Sequence, residues 1–232
     1  MERLVVTRRR VSNLLALAVL STLGERPMHP YEISTTLRTR GKEQSIKLNY
    51  GSLYSVVEQL VRHELIRPRE TTRSGRRPER TIYEITDAGL EELEDWLAEL
   101  LSTPVREFTS LEAGLSLMPS LSPEEVVRNL DLRSDRLRIE LGALEASFGV
   151  ARDLGLPDLL LVESHYRRAM LTAELEYTTS LARDIRSDAL SGTSVWRRMH
   201  ELRAEGMPME QILADPVRHL GEEARVLQPP EQ

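Results

Sequence analysis

Thr81 to Thr86 alternates polar and apolar residues, with Tyr83 and Ile85 on one face, inside a stretch whose other apolar residues recur at helical spacing. A short alternating run is a half-buried strand and needs a partner. Leu65 and Ile66 open that partner, which ends near Thr72. Arg73 to Arg80 joins the two, with Gly75 and Pro78 at the tip of the turn. Three helices precede this hairpin. Val11 to Leu23 is apolar on nearly every side and reads as a buried helix. Pro30 suits the first turn of a second helix, which runs through Tyr31, Ile33 and Leu37 and stops near Gly41. Asn49 caps a third helix over about 50–64, whose Leu53, Val56, Val57, Leu60 and Val61 form one apolar face. A fourth helix starts at Thr86 or Asp87, reaches Leu101 and is ended by Pro104.

Three helices, a strand, a turn and a strand within so short a span describe a winged helix-turn-helix with a two-stranded β-wing. The second half is helical. Glu107 to Met118 forms a short amphipathic helix. Ser122, Pro123 and Glu125 then supply a cap, an N1 proline and an N3 carboxylate for a long helix reaching about Arg152. Gly155 and Pro157 turn the chain into a second long helix over about 158–188. Two long helices joined by a short turn form an antiparallel hairpin, and one hairpin alone leaves apolar surface for a partner. The expected organisation is a DNA-binding domain with its linking helix at 1–103, a helical dimerisation domain at 104–191, and a partly helical or mobile extension at 192–232. The expected fold class is mainly α.

The net charge of −6 conceals an uneven distribution. Residues 1–80 carry 16 Lys/Arg against 8 Asp/Glu, a balance of +8, and the remainder is correspondingly acidic at −14. A basic head on an acidic body directs only the head to a polyanion. The absence of cysteine excludes a disulfide framework, thiolate metal sites and a cysteine nucleophile, and fits a cytoplasmic setting. The apolar run from Leu14 to Leu20, although it follows Arg8-Arg9-Arg10, is too short for a membrane span and reads as part of a buried helix.

The recognition chemistry is concentrated in two segments. Asn49-Tyr50-Gly51-Ser52-Leu53-Tyr54 opens the third helix. With Leu53 and Val57 inward, the opposite side carries Gly51, Ser52, Ser55 and Arg62, flanked by Tyr50 and Tyr54. Small residues at a helix start admit a duplex backbone, and hydroxyls and amide groups there suit phosphate and base-edge hydrogen bonds. The turn Arg73-Ser74-Gly75-Arg76-Arg77-Pro78-Glu79-Arg80 holds four arginines suited to clamping phosphates or entering a minor groove. Arg8-Arg9-Arg10 is either an arm along the backbone or a solubilising leader, and Lys42 and Lys47 are weaker phosphate candidates.

The runs Pro27-Met28-His29-Pro30-Tyr31-Glu32-Ile33, Tyr50-Gly51-Ser52-Leu53-Tyr54, Glu64-Leu65-Ile66 and Ile82-Tyr83-Glu84-Ile85-Thr86-Asp87-Ala88-Gly89 resemble the PadR family of bacterial transcriptional regulators. The second half is similar to the longer, virulence-activator-like C-terminal domain of one PadR subfamily. The resemblance implies a homodimer built on the C-terminal helices, pseudo-palindromic operator DNA as partner, and repression relieved by a small-molecule effector. It also implies that Tyr50, Ser52, Tyr54 and Ser55 read or position the operator and that the wing arginines hold its flanks. The full expected DNA-contacting set is Tyr31, Lys47, Asn49, Tyr50, Gly51, Ser52, Tyr54, Ser55, Arg73, Arg76, Arg77 and Arg80. One departure is Glu64, where the family usually has glycine, which bears on the sharpness of that turn.

Catalytic groups do not converge. His29, His63, His165, His200 and His219 are scattered without metal-ligand spacing, so neither a metal nor a cofactor is expected. Glu163-Ser164-His165 offers no nucleophile, because neighbours on a helix do not face one another. Trp96, beside Leu93, Leu97 and Leu100, is either core or a stacking surface for a flat apolar effector. The rival to a DNA-binding regulator is an adaptor that uses its winged helix to dock protein; the basic head argues against it.

Overall fold

The computed structural model describes residues 11–46, 49–72 and 80–227, with backbone alone at 44, 50, 71, 72 and 80. The chain divides into two compact units, residues 1–106 and 107–232.

The first unit is organised around α1 (Leu14–Glu25), which packs against the other helices and the sheet of the unit. Asn13 starts it, its side chain accepting from the Leu15 amide at 2.9 Å, so the helix begins three residues later than its apolar run. Every residue from Leu15 to Leu20 is buried, together with Leu23. Helix α2 (Pro30–Thr39) has Pro30 at its first position, where no amide is required, and the His29 ring nitrogen accepts from the Tyr31 amide. Helix α3 (Tyr50–Arg62) is capped by Asn49, whose side chain accepts from Gly51 N at 3.0 Å. It buries Leu53, Val56, Val57 and Leu60.

Strands β1 (Ile66–Thr72) and β2 (Arg80–Ile85) pair antiparallel, Ile66 opposite Ile85, with an irregularity between Pro68 and Glu70. Pro68 stands opposite Tyr83. Tyr83 exchanges both of its backbone hydrogen bonds with Met28, each at 3.0 Å, so its polar groups point away from the proline. The missing donor at Pro68 therefore costs the ladder nothing there. The same exchange ties the α1–α2 loop to the sheet.

The α3–β1 junction is a Schellman turn: Leu65 N donates to Leu60 O and Glu64 N donates to Val61 O, each at 3.0 Å. Glu64 occupies the left-handed position at φ +60°. The turn is therefore as tight as a glycine would make it, and the departure at Glu64 is absorbed as backbone strain. Helix α4 (Asp87–Ser102) docks on this turn. The Thr86 hydroxyl caps it by accepting from Gly89 N at 3.1 Å and donates to Glu64 O at 2.7 Å, while Thr86 N donates to Leu65 O. A Cβ on Gly89 would lie 2.0 Å from the Leu65 carbonyl oxygen. Glycine there permits a close approach of two backbones.

The second unit opens with α5 (Ser110–Leu117), capped by Thr109, and a 3-10 turn at Met118–Ser120. Helix α6 (Pro123–Asp153) begins with a capping box in which the Ser122 hydroxyl accepts from Glu125 N and the Glu125 carboxylate accepts from Ser122 N. Gly155, at φ +66°, reverses the chain. A 3-10 turn over Asp158–Leu161 then leads into α7 (Val162–Arg186), which is shorter at its start than its apolar pattern implied. Helices α6 and α7 form the hairpin. Between them the buried hydroxyls of Ser134 and Thr178 are 3.2 Å apart, and Arg133–Glu174, Arg167–Glu140 and Arg186–Asp131 pair across the seam at 2.5–2.7 Å.

Helices α8 (Thr193–Ala204), α9 (Met209–Ala214) and α10 (Pro216–Leu220) complete the unit. Trp196 joins Val126, Leu130, Leu181 and Ile185 in one core, and Leu202, Ile212, Leu220 and Ala224 form another. The Trp196 indole donates to Leu121 O at 2.8 Å, His200 Nε2 lies 2.9 Å from Pro119 O, and Arg197 bridges Glu124 and Asp188. Among the described residues no helix is long and apolar enough to cross a membrane.

Candidate nucleic-acid interface

The amphipathic register of α3 sets what the first unit offers to solvent. With Leu53, Val56, Val57 and Leu60 inward, one turn of helix per 3.6 residues places Gly51, Ser55, Glu58 and Arg62 on the opposite face, all exposed. Ser52 and Tyr54 lie on its two flanks, Ser52 half-buried and Tyr54 49 % exposed. Tyr31, in the first turn of α2, is 63 % exposed. The Ser55 hydroxyl donates back to Gly51 O at 3.2 Å, which leaves its oxygen lone pairs outward as acceptors. The open start of this face is physical: a Cβ on Gly51 would meet nothing closer than its own cap, Asn49 Oδ1 at 3.6 Å. The first turn of α3 presents amide groups that have no acceptor within the helix, with the positive end of the helix dipole behind them.

Two ion pairs hold α2 to the end of α1 and thereby set the base on which α3 rests. Arg40 binds Glu25 with both guanidinium nitrogens, and Arg26 reaches Glu32 at 2.5 Å. The Arg40 hydrogen bond holds the Glu25 carboxyl below its ordinary range, and the Arg26 hydrogen bond does the same for Glu32. Beneath the α3 flank, burial pushes the Tyr83 phenol upward, reinforced by the nearby Glu58 carboxylate.

Of the residues expected to touch DNA, Tyr31, Asn49, Gly51, Ser52, Tyr54 and Ser55 lie on α2, α3 and the α3 cap. Asn49 acts first as the cap. The backbone of Tyr50 opens α3 and that of Arg80 opens β2. Lys47, Arg73, Arg76 and Arg77, like Arg8, Arg9 and Arg10, lie outside the described residues. Glu58 was missed by sequence reasoning. Extending the i, i+4, i+7 series from Gly51 and Ser55 would have found it, and as a carboxylate in a groove it could only accept, for which the cytosine amino group is the fitting base-edge donor. Trp96 is core. It is 4 % exposed and belongs to the same cluster as Leu15, Leu20 and Leu60, so within this unit its ring has no open face for a ligand.

A model of the Transcriptional regulator PadR-like family matches residues 19–95, from the middle of α1 to the residue before Trp96. Residues 19–95 are a PadR-like domain. Comparison with curated proteins finds no match. Solved structures share the fold of the PadR-like domain and of the helical region after it. Bacillus subtilis PadR in complex with operator DNA is 20 % identical, with a TM-score of 0.57 over 74 % of this chain and 98 % of that one. The same protein in complex with p-coumaric acid is 17 % identical, with a TM-score of 0.56 over 73 % and 93 %. The Vibrio cholerae virulence activator AphA is 15 % identical, with a TM-score of 0.55 over 75 % and 98 %.

Proposed function

We propose that this chain is a sequence-specific transcriptional regulator that binds operator DNA as a homodimer and represses until a small-molecule effector releases it. The observation that carries the reading is the solvent face of α3, a helix start of small and hydroxylated residues within a PadR-like domain, in a chain whose residues 1–80 carry 16 Lys/Arg against 8 Asp/Glu. The Bacillus subtilis PadR structures with operator DNA and with p-coumaric acid support both halves of it by similarity. The dimer is supported by a second apolar stripe on each hairpin helix, left exposed in the single chain: Leu132, Ile139 and Val150 on α6, and Val162, Tyr166 and Met170 on α7. Each stripe recurs at helical spacing and suits a second copy of the hairpin.

In this arrangement two α3 helices enter successive major grooves of a pseudo-palindrome, about one helical turn apart. Ser52, Tyr54, Ser55 and Glu58 read or position bases, and Arg73, Arg76, Arg77 and Arg80 hold flanking phosphates. As a DNA-bound regulator the protein acts in the cytoplasm. The test is a fluorescence-anisotropy titration of genomic fragments selected by the purified protein, repeated across salt concentrations. Affinity is expected to fall steeply with salt. Replacing Arg76 and Arg77 with Ala should weaken all sequences alike, and Ser52→Ala or Tyr54→Phe should change sequence preference. Binding that is absent, or indifferent to salt and to the arginines, would overturn the reading.

A further inference from the structure

Gly89, Leu93 and Trp96 lie on the inward line of α4, and the next member of that line at helical spacing is Leu100. Leu100 is nevertheless 45 % exposed, and so is Leu14 at the start of α1. A Cβ on Gly24, near the end of α1, would lie 3.9 Å from Leu90 Cδ2 and 4.0 Å from Leu93 Cδ2, near the start of α4. Trp96, further along α4, is buried in one cluster with Leu15 and Leu20. The two helices therefore run in opposite directions, and the core between them is left open where α1 begins and α4 ends. The flank of α4 beside this opening is acidic, with Glu92, Asp95 and Glu99 at i, i+3 and i+7.

The chain itself enters the fold at this opening. Val11, three residues before α1, is buried in the same cluster, so residues 1–10, which lie outside the described residues, are tethered at the open end. Arg8, Arg9 and Arg10 fall within three residues of that tether, a span of at most about 11 Å. In an extended chain Leu4, Val6, Arg8 and Arg10 share one side. Arg8 and Arg10 then stand about 6.6 Å apart, and Asp95 and Glu99 stand about 6 Å apart along α4. The segment thus offers two aliphatic side chains to the opening and two guanidinium groups at the spacing of the neighbouring carboxylates. So short a tether holds the arginines at an effective concentration in the millimolar range, which offsets the weakness of exposed ion pairs.

We infer that residues 1–10 dock on α4 of their own chain, with Leu4 and Val6 covering Leu14 and Leu100, and with Arg8 and Arg10 pairing with Asp95 and Glu99. The segment closes the open end of the core in the first unit. The basic run before α1 then serves the fold, and adds to the charge of the head without adding to its grip on a duplex. The docking is intramolecular and is read without DNA, so it stands apart from the proposed function.

The chain has no cysteine, so engineered pairs in the full chain can be oxidised with copper phenanthroline on a clean background. Val6→Cys with Leu100→Cys is the test pair, and Val6→Cys with Thr39→Cys on α2 is the control. The test pair should close within one chain at least tenfold faster than the control. Raising the salt to about 1 M, where the screening length is about 3 Å, should slow closure at least threefold. Arg8→Glu with Arg10→Glu should slow it at least fivefold, and adding Asp95→Arg with Glu99→Arg should restore it; both acidic positions are exposed, so the swap leaves the core intact. Closure no faster than the control, a charge swap that fails to restore it, or bonds that join two chains would overturn the inference, the last by giving the opening to a second copy. A second measurement follows operator binding against salt in the chain with Arg8, Arg9 and Arg10 all replaced by Ala. The slope should stay unchanged, whereas three lost phosphate contacts would make it shallower by about 2.7 and would overturn the inference. Fast closure in a protein that binds no operator would remove the proposed function alone.

Discussion

Gly89→Ala is the substitution whose cost the structure defines most narrowly. The added methyl would stand 2.0 Å from the Leu65 carbonyl oxygen and 2.8 Å from Ile85 Cγ1. The nearer obstacle is backbone, pinned by the Schellman turn at the end of α3, so no rotamer change relieves it. To reach even the shortest contact real Cβ atoms make, 3.0 Å, α4 and the turn must separate by an ångström or more. That movement breaks Thr86 N to Leu65 O and stretches the Thr86 hydroxyl bond to Glu64 O. Two bonds at about 1 kcal/mol each and about 1–3 kcal/mol of overpacking oppose a gain of about 1 kcal/mol in helix propensity. The net expectation is a loss of about 2–4 kcal/mol in the first unit. At roughly 4–8 °C per kcal/mol for a domain of this size, its midpoint should fall by about 8–32 °C. The chain has two tryptophans, Trp96 in the first unit and Trp196 in the second. Fluorescence of Trp96 in a Trp196→Phe background therefore follows the first unit alone. A Gly89→Ala midpoint within a few degrees of its parent would refute the close approach of α4 to the turn.

Three further outcomes follow from the packing. Glu64→Gly should stabilise the first unit by about 0.5–1 kcal/mol, since relief of the left-handed cost of about 1–2 kcal/mol exceeds the added freedom of the unfolded glycine; a lower melting midpoint by the same Trp96 signal would contradict it. Thr178→Val should cost the second unit about 1–2 kcal/mol by leaving the buried Ser134 hydroxyl poorly satisfied, and adding Ser134→Ala should recover most of it in a urea double-mutant cycle. Glu25, Glu32 and Glu124 are held below the ordinary carboxylate range first of all by hydrogen bonds from Arg40, Arg26 and Arg197. Their contribution is complete at neutral pH and lost as pH falls below about 4.5 through the lowered values. Urea midpoints measured from pH 7 to pH 3 should decline less steeply in Arg40→Ala and Arg197→Gln than in the parent.

The parts of the molecule that were readable in advance are those whose signals are local. Asn49, Ser122 and Thr86 announced their helices because a cap is a contact within three residues. The apolar stripes of α3 and α6 follow from spacing alone. The meaning of Gly89 was not readable, because its obstacle is the backbone of a residue more than twenty positions earlier. Glu64 could be noticed as unusual, but the turn it occupies is enforced by Thr86 and α4 and not by its own identity. Trp96 left two readings open, and only the packing of α1 against α4 buries it. Residues 192–232 read from sequence only as a partly helical or mobile extension, whereas residues 193–227 form α8, α9, α10 and a 3-10 turn. Their cores are built from long-range partners such as Trp196 with Leu121 and Val126, which periodicity in segments of five to twelve residues cannot reveal. On the candidate interface, Gly51, Ser52, Tyr54 and Ser55 were legible from helical phase, and the same phase, carried one turn beyond Ser55, reaches Glu58.

Arg197 and Trp196 also set a schedule. The start of α6 is braced by side chains that lie more than seventy residues further along the chain, whereas every partner of α4 in the first unit precedes it. During synthesis at about 5–20 residues per second, the PadR-like domain is complete roughly 5–20 s before the last braces of the second unit emerge. The first unit is then free to fold on the ribosome while the α5–α6 corner still waits for its closing helix. A nascent chain stalled between residues 130 and 190 should carry a folded first unit and an open corner, which makes that window the one most in need of a chaperone.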